Sequence, residues 1–127
     1  LNRLFPWRFL KNRRGATAVE FALIMPFFLA MILGLVEFGR AMWIRNTMQY
    51  AVEEAARYGS VSGASSATVS TYAQTKLLAM EALNVTFSVT VGASDITVSA
   101  SYDFEFLASG LLPYGPITLQ AYAQYPL

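Results

Sequence analysis

From Phe21 to Val36 the chain runs for sixteen residues without a charge, and the five basic residues Arg3, Arg8, Lys11, Arg13 and Arg14 precede it with no acid among them. The first fourteen residues therefore carry +5 and the remainder −4, within a formal total of +1. A basic leader followed by such a stretch reads as the cytoplasmic flank of a membrane helix and not as a nucleic-acid-binding arm. At about 1.5 Å per residue the uncharged run spans roughly 24 Å, short of the ~30 Å hydrocarbon core, so the span takes in its flanks and covers residues 16–39. Glu20 and Glu37 then fall about 26 Å apart, one near each interface, where an ionised group costs far less than at the bilayer centre. The basic excess before the span keeps the N-terminus in the cytoplasm and puts everything after about Arg40 on the far side. A cleaved secretory signal would need a small-x-small site after the apolar run. The nearby triplet Gly39-Arg40-Ala41 has arginine at its centre and Glu37 upstream, which argues against one.

Composition narrows the chemistry. A length of 127 residues allows one domain plus an appendage. With 55% hydrophobic against 13% charged residues, about half the charge of an ordinary soluble domain, the chain has to hide apolar surface in a membrane or a partner. There is no cysteine and no histidine, so disulfides, the usual zinc sites, thiol nucleophiles and histidine acid/base chemistry are excluded. No constellation for catalysis, a metal or a cofactor is left to assign, and the chain reads as a non-enzyme.

Beyond the span the helical period continues. Ile44, Met48, Val52 (or Ala51) and Ala55 form one stripe, and Arg45, Gln49, Glu53 and Arg57 form another. One helix of about residues 16–58 is expected, with Glu53 and Arg57 as an i,i+4 ion pair and Gly59 as the stop. Residues 59–67 are a small-residue linker. A second helix follows on Val69, Ala73, Leu77 and Met80, with Ser66 or Thr68 as its cap and Asn84 at its end. The period then switches to two. Val85 to Val91 and Ile96 to Phe106 alternate as two strands joined by a short Gly92-Ala93-Ser94-Asp95 turn, and Ile117 to Tyr125 supplies a third. The fold expected is α+β: a long N-terminal transmembrane helix running into a module, residues 59–127, with a short helix and a three-stranded antiparallel sheet covered by the helices. The connection from Leu107 to Pro116 carries Leu111, Leu112 and Tyr114. That is more apolar than a solvated loop, so it either folds back onto the core or meets a partner.

The junction of leader and span carries the strongest functional signal. Gly15 stands after the basic run and directly before the apolar helix, with Glu20 and Phe21 just inside it. A glycine there offers a protease a flexible scissile bond, between Gly15 and Ala16, while the helix stays whole. Glu20 would then be the fifth residue of a new chain, close to a free α-amino group, and a buried carboxylate demands such a partner. The plainer alternative is that Gly15 only breaks the helix and Glu20 only favours its N-terminal dipole.

The stretch Gly15-Ala-Thr-Ala-Val-Glu20-Phe21 resembles the Gly-x4-Glu-Phe/Tyr processing motif of type IVb prepilins. The longer run through Pro26, Gly34-Leu-Val-Glu37-Phe-Gly-Arg40 is similar to TadE-like pseudopilins of the tight-adherence (Flp) pilus. The likeness covers about residues 13–58 and implies cleavage between Gly15 and Ala16 by a prepilin peptidase, with Glu20 and Phe21 serving processing or assembly. It also implies a bacterial inner-membrane location, a cytoplasmic leader of residues 1–15, and partners among other pilins, pseudopilins, the assembly platform and the lipid bilayer. The module after the helix fits a minor pseudopilin better than the short main fibre subunit. A reading from a different class is a single-pass anchored module that binds a ligand outside any pilus.

Glu37 and Arg40, at i,i+3, are expected to form an ion pair at the outer interface from which both side chains snorkel, or else an intersubunit contact. Pro26 frees one backbone carbonyl in mid-span and shapes packing against neighbouring helices. Trp43 and Tyr50 suit an aromatic belt. Asp103 and Glu105 share a strand face but are too few to hold calcium.

Overall fold

The computed structural model describes residues 13–77, 84–107 and 115–127, with side chains from Gly15 onward. Two helices, α1 (Arg13–Ser62) and α2 (Ser66–Thr75), precede three strands, β1 (Thr86–Val91), β2 (Asp95–Phe104) and β3 (Ile117–Pro126). This is the α+β arrangement that the switch of period predicts. The chain divides after Val36 into two compact units, so the break falls inside α1 and its outer half belongs to the module.

In the first unit every residue from Gly15 to Val36 except Met25 is exposed, including Phe21, Leu23, Ile24 and Phe27. The helix passes Pro26 without interruption. A helix apolar on every side has no face to turn to water, and it is long and apolar enough to cross a membrane.

The second unit is held by one core. Ile44, Met48, Ala51, Val52, Ala55 and Ala56 of α1 are buried together with Val69 and Ala73 of α2, Ile96, Val98 and Phe104 of β2, and Ala121 and Ala123 of β3. The stripe read from the sequence is thus the buried one, with both Ala51 and Val52 inside. Strand order is β1-β2-β3, with both pairs antiparallel and without a bulge from Val91↔Ile96 to Thr86↔Ser101 and from Asp95↔Pro126 to Phe104↔Ile117. In β2 the residues Ile96, Val98 and Ala100 are buried while Thr97, Ser99 and Ser101 lie on the opposite face, as an alternation of period two requires.

Four boundaries differ from expectation. Gly59 does not end α1. A Cβ there would collide with Ile96 Cδ1 and stand 3.0 Å from Val69 Cγ2, so this glycine lets helix, helix and strand close up. The stop is Gly63, at φ 61°, whose amide reaches back to the Gly59 carbonyl at 3.1 Å. The cap of α2 is Ser65, ahead of both expected candidates, because its hydroxyl accepts from the Thr68 amide. That helix ends at Thr75, short of Asn84, and Met80 lies outside the described residues. β2 ends at Phe104, and Phe106 turns back to pack edge-on against it at 5.3 Å.

Candidate functional site

Gly15, Ala16, Glu20 and Phe21 all lie exposed on the first two turns of α1. Gly15 is helical here, inside the helix that begins at Arg13. It sits in the first turn, whose amides lack helical acceptors, and nothing lies within 4 Å of where its Cβ would be. A glycine in that turn is the residue at which the helix yields to an extended conformation at least cost. Ala16 and Glu20 are four residues apart and share a face, so a new amine at position 16 and the Glu20 carboxylate would present to the same side.

Glu37 and Arg40 correct the snorkelling expectation. Glu37 is 7% exposed and accepts a hydrogen bond from the Leu107 amide at 2.6 Å, while its other oxygen stands 3.3 Å from an Arg40 guanidinium nitrogen. Arg40 in turn donates to the Glu105 carbonyl and lies over the Phe104 ring, 4.5 Å from its centroid. The pair is therefore a clamp on the end of β2. Leu107 follows the last β2 residue by three positions and has no strand to satisfy its amide, and the buried carboxylate supplies the acceptor. Sequence spacing could show the i,i+3 pair but not its targets, which lie 65 and 70 residues away.

Beside the clamp, α1 and β3 border an open groove with Arg45, Gln49 and Glu53 on one wall and Gln120, Tyr122 and Gln124 on the other. The Gln49 amide donates to the Tyr122 carbonyl at 3.1 Å and to Glu53 at 2.7 Å. Mixed amide and charge lining in an open groove is unlike the apolar concavity that buries a small ligand. On the neighbouring face, Arg57 pairs with Glu54 at 2.8 Å and not with Glu53, whose carboxylate is taken by Gln49. The hydrogen bond from Arg57, helped by the charge of Lys76, holds the Glu54 carboxyl below the usual range. Tyr58 and Tyr72 stack at 4.3 Å, and Lys76 lies over the Tyr72 ring, which ties α2 to α1.

The remaining candidates are apart from these. Asp103 accepts from the Thr118 hydroxyl at 2.7 Å across the sheet. Among the described residues no three acidic side chains gather where they could hold a metal ion. Trp43 and Tyr50 are exposed on α1. Leu111, Leu112 and Tyr114 lie outside the described residues, as does the leader before Arg13.

An apolar helix of membrane-span length at the N-terminal side, continued by an α+β module, fits a single-pass membrane protein. Residues 15–57 match the family model described as TadE-like protein, so over that segment the chain is similar to this family. The matched stretch takes in the junction, the span, the clamp and the buried stripe of α1. Neither a curated protein nor a solved structure matches the chain.

Proposed function

We propose that this chain is a minor pseudopilin of a tight-adherence (Flp, type IVb) pilus, cut between Gly15 and Ala16 by a prepilin peptidase and acting by packing. The observation that carries the reading is the helix surface from Gly15 to Val36: apolar all round, exposed, preceded by a basic leader and opened by Gly15-x4-Glu20-Phe21. Residues 16–39 hold the chain in the bacterial inner membrane with its N-terminus cytoplasmic, and the module stands outside. Removal of the leader leaves an α-amino group that is largely protonated near neutral pH. In a bundle of such helices the Glu20 carboxylate needs a counter-charge, and the new amine of a neighbouring subunit provides one and sets the axial register. Pro26 and the apolar face around it pack against other pilins and pseudopilins on the assembly platform, and the outer module meets other minor subunits in building a pilus for surface adhesion.

The test is the intact mass and N-terminal sequence of the protein from its native membrane, beside those of Gly15→Ala. The expected wild-type chain begins at Ala16 and the variant keeps its leader. A wild-type chain that retains its leader would leave an anchored extracytoplasmic binding module, and a start near Met42 would mean a secretory signal.

A further inference from the structure

The two outer strands of the sheet share an unusual feature. The chain has nine basic and eight acidic residues, yet none lies in β1 (TFSVTV) or β3 (ITLQAYAQYP), and the strands' charges, Asp95 and Asp103, both sit on the central β2. Natural sheets protect their edges with charges, bulges or brevity. Here the charges are in the middle, the ladders run without a bulge, and β3 is ten residues long.

The hydrogen-bond phase shows which groups face outward. Antiparallel partners alternate between exchanging both backbone bonds and exchanging none. The Leu127 amide donates to the Ser94 carbonyl at 2.9 Å in the same register, so odd-numbered residues of β3 bond to β2 and even-numbered ones point away from the sheet. Consistent with this, the Tyr122 carbonyl is met from outside by Gln49 and the Pro126 carbonyl by the Ser60 hydroxyl. Among the described residues, the outward backbone groups of Gln120 and Gln124 have no partner, and Tyr122 is 72% exposed.

Chain direction selects what can fill this edge. β1 and β3 both run antiparallel to β2 and therefore parallel to each other. The contacts Gln49 to Tyr122 and Ser60 to Pro126 ascend together, so the outer half of α1 runs the same way as β3. Two copies paired β3 to β3 about a two-fold axis would send their α1 helices in opposite directions, which copies anchored in one membrane by the same end of α1 do not do. Pairing β3 of one copy with β1 of the next keeps the helices alike and joins two uncharged edges. We propose that the outer edge of β3 takes up, in parallel, the β1 edge of a second copy of this chain, with the Gln49 amide as its placeholder in the single subunit. Such a contact is head-to-tail and does not close on itself, so it propagates. The proposal rests on the reading of the chain as an anchored subunit among like subunits, and it is independent of leader cleavage.

The absence of cysteine makes the test direct. Ser88 and Tyr122 both flank Ser99 in register, two strand spacings or about 9.6 Å apart, beyond the reach of a disulfide within one chain. Ser88→Cys combined in turn with Gln120→Cys, Tyr122→Cys or Gln124→Cys, in the full chain in its native membrane, is expected to give on oxidation a ladder of multimers. One pairing should be several-fold stronger than the other two, because a register is specific. Adding Gln120→Pro to the Tyr122→Cys and Gln124→Cys pairs, or Gln124→Pro to the Gln120→Cys pair, removes an outward-facing amide and should abolish the ladder without changing the thermal unfolding of the module. A dimer from Tyr122→Cys alone, cross-linking to a different protein in place of a ladder, or no cross-link in all three variants would each overturn the proposal. The N-terminal mass of the same samples separates the two readings: an uncut chain that still forms the ladder keeps the edge contact and loses the processing.

Discussion

The two halves of α1 are both rich in apolar residues, yet one is laid open and the other closed. Phe27 is 78% exposed, whereas Met48, Ala51, Val52, Ala55 and Ala56 are fully buried. What separates them is arrangement, not amount. After Arg40 one stripe of apolar residues is buried while Trp43, Tyr50 and Val61 stay exposed, and the alanines on the stripe let α2 and the sheet approach closely. Before Val36 they surround the helix, so no packing against one module could cover them all. One half is written for a protein core, and the other for lipid or for a ring of neighbouring helices.

The sharpest way to break this contrast is a pair of substitutions that should act on opposite halves. Phe104→Ala removes a buried ring and is expected to cost the module about 3–5 kcal/mol, lowering its melting temperature by more than about 12 °C while membrane insertion is unchanged. Leu29→Lys should do the reverse, opposing insertion by about 3 kcal/mol and leaving the melt of the module alone. Thermal unfolding in detergent and carbonate extraction of membranes read the two outcomes. If both variants fail in both assays, the halves are not independent.

A smaller effect sharpens the border between them. Glu37→Ala leaves the Leu107 amide without its acceptor and should cost about 1–3 kcal/mol in denaturant unfolding. Glu37→Gln keeps an acceptor there and should cost less. Equal losses would assign the clamp to charge with Arg40, and no loss in either would return Glu37 to the membrane interface. The smallest effect concerns pH. Because the folded Glu54 carboxyl titrates below its ordinary range, its contribution is present above that range and is lost as pH falls through the lowered value. Between about pH 5 and pH 3 wild type should therefore lose slightly more stability than Glu54→Gln, an effect kept small by solvent around an exposed pair.

Much of this architecture is legible in the residues. The alternation in β2 and β3 and the stripe on α1 could be read directly, since each is a local period imposed by a buried face. What could not be read was set by distant partners. Gly59 looks like a helix stop and is a close-packing point, because Ile96 arrives there from 37 positions along the chain. Glu37 and Arg40 look like a surface pair and hold the end of β2 for the same reason. Arg57 pairs with Glu54 in place of the Glu53 that spacing suggested, while Glu53 accepts from Gln49. At the junction the helix begins at Arg13, ahead of Gly15, which spacing alone did not disclose.

Among the described residues, six of the fifteen buried apolar side chains of the module come from α1, and two more, Ala121 and Ala123, from β3. The core thus joins its earliest element to its latest, with β2 caught between them. As the chain is made from its N-terminal side, α1 arrives first and has nothing to close against. The sheet's third strand arrives last, and only then do Ser60 and Gln49 meet their carbonyl acceptors. Folding of the module is therefore an event timed by the completion of residues 117–126, and a chain stalled before them would leave the stripe of α1 uncovered.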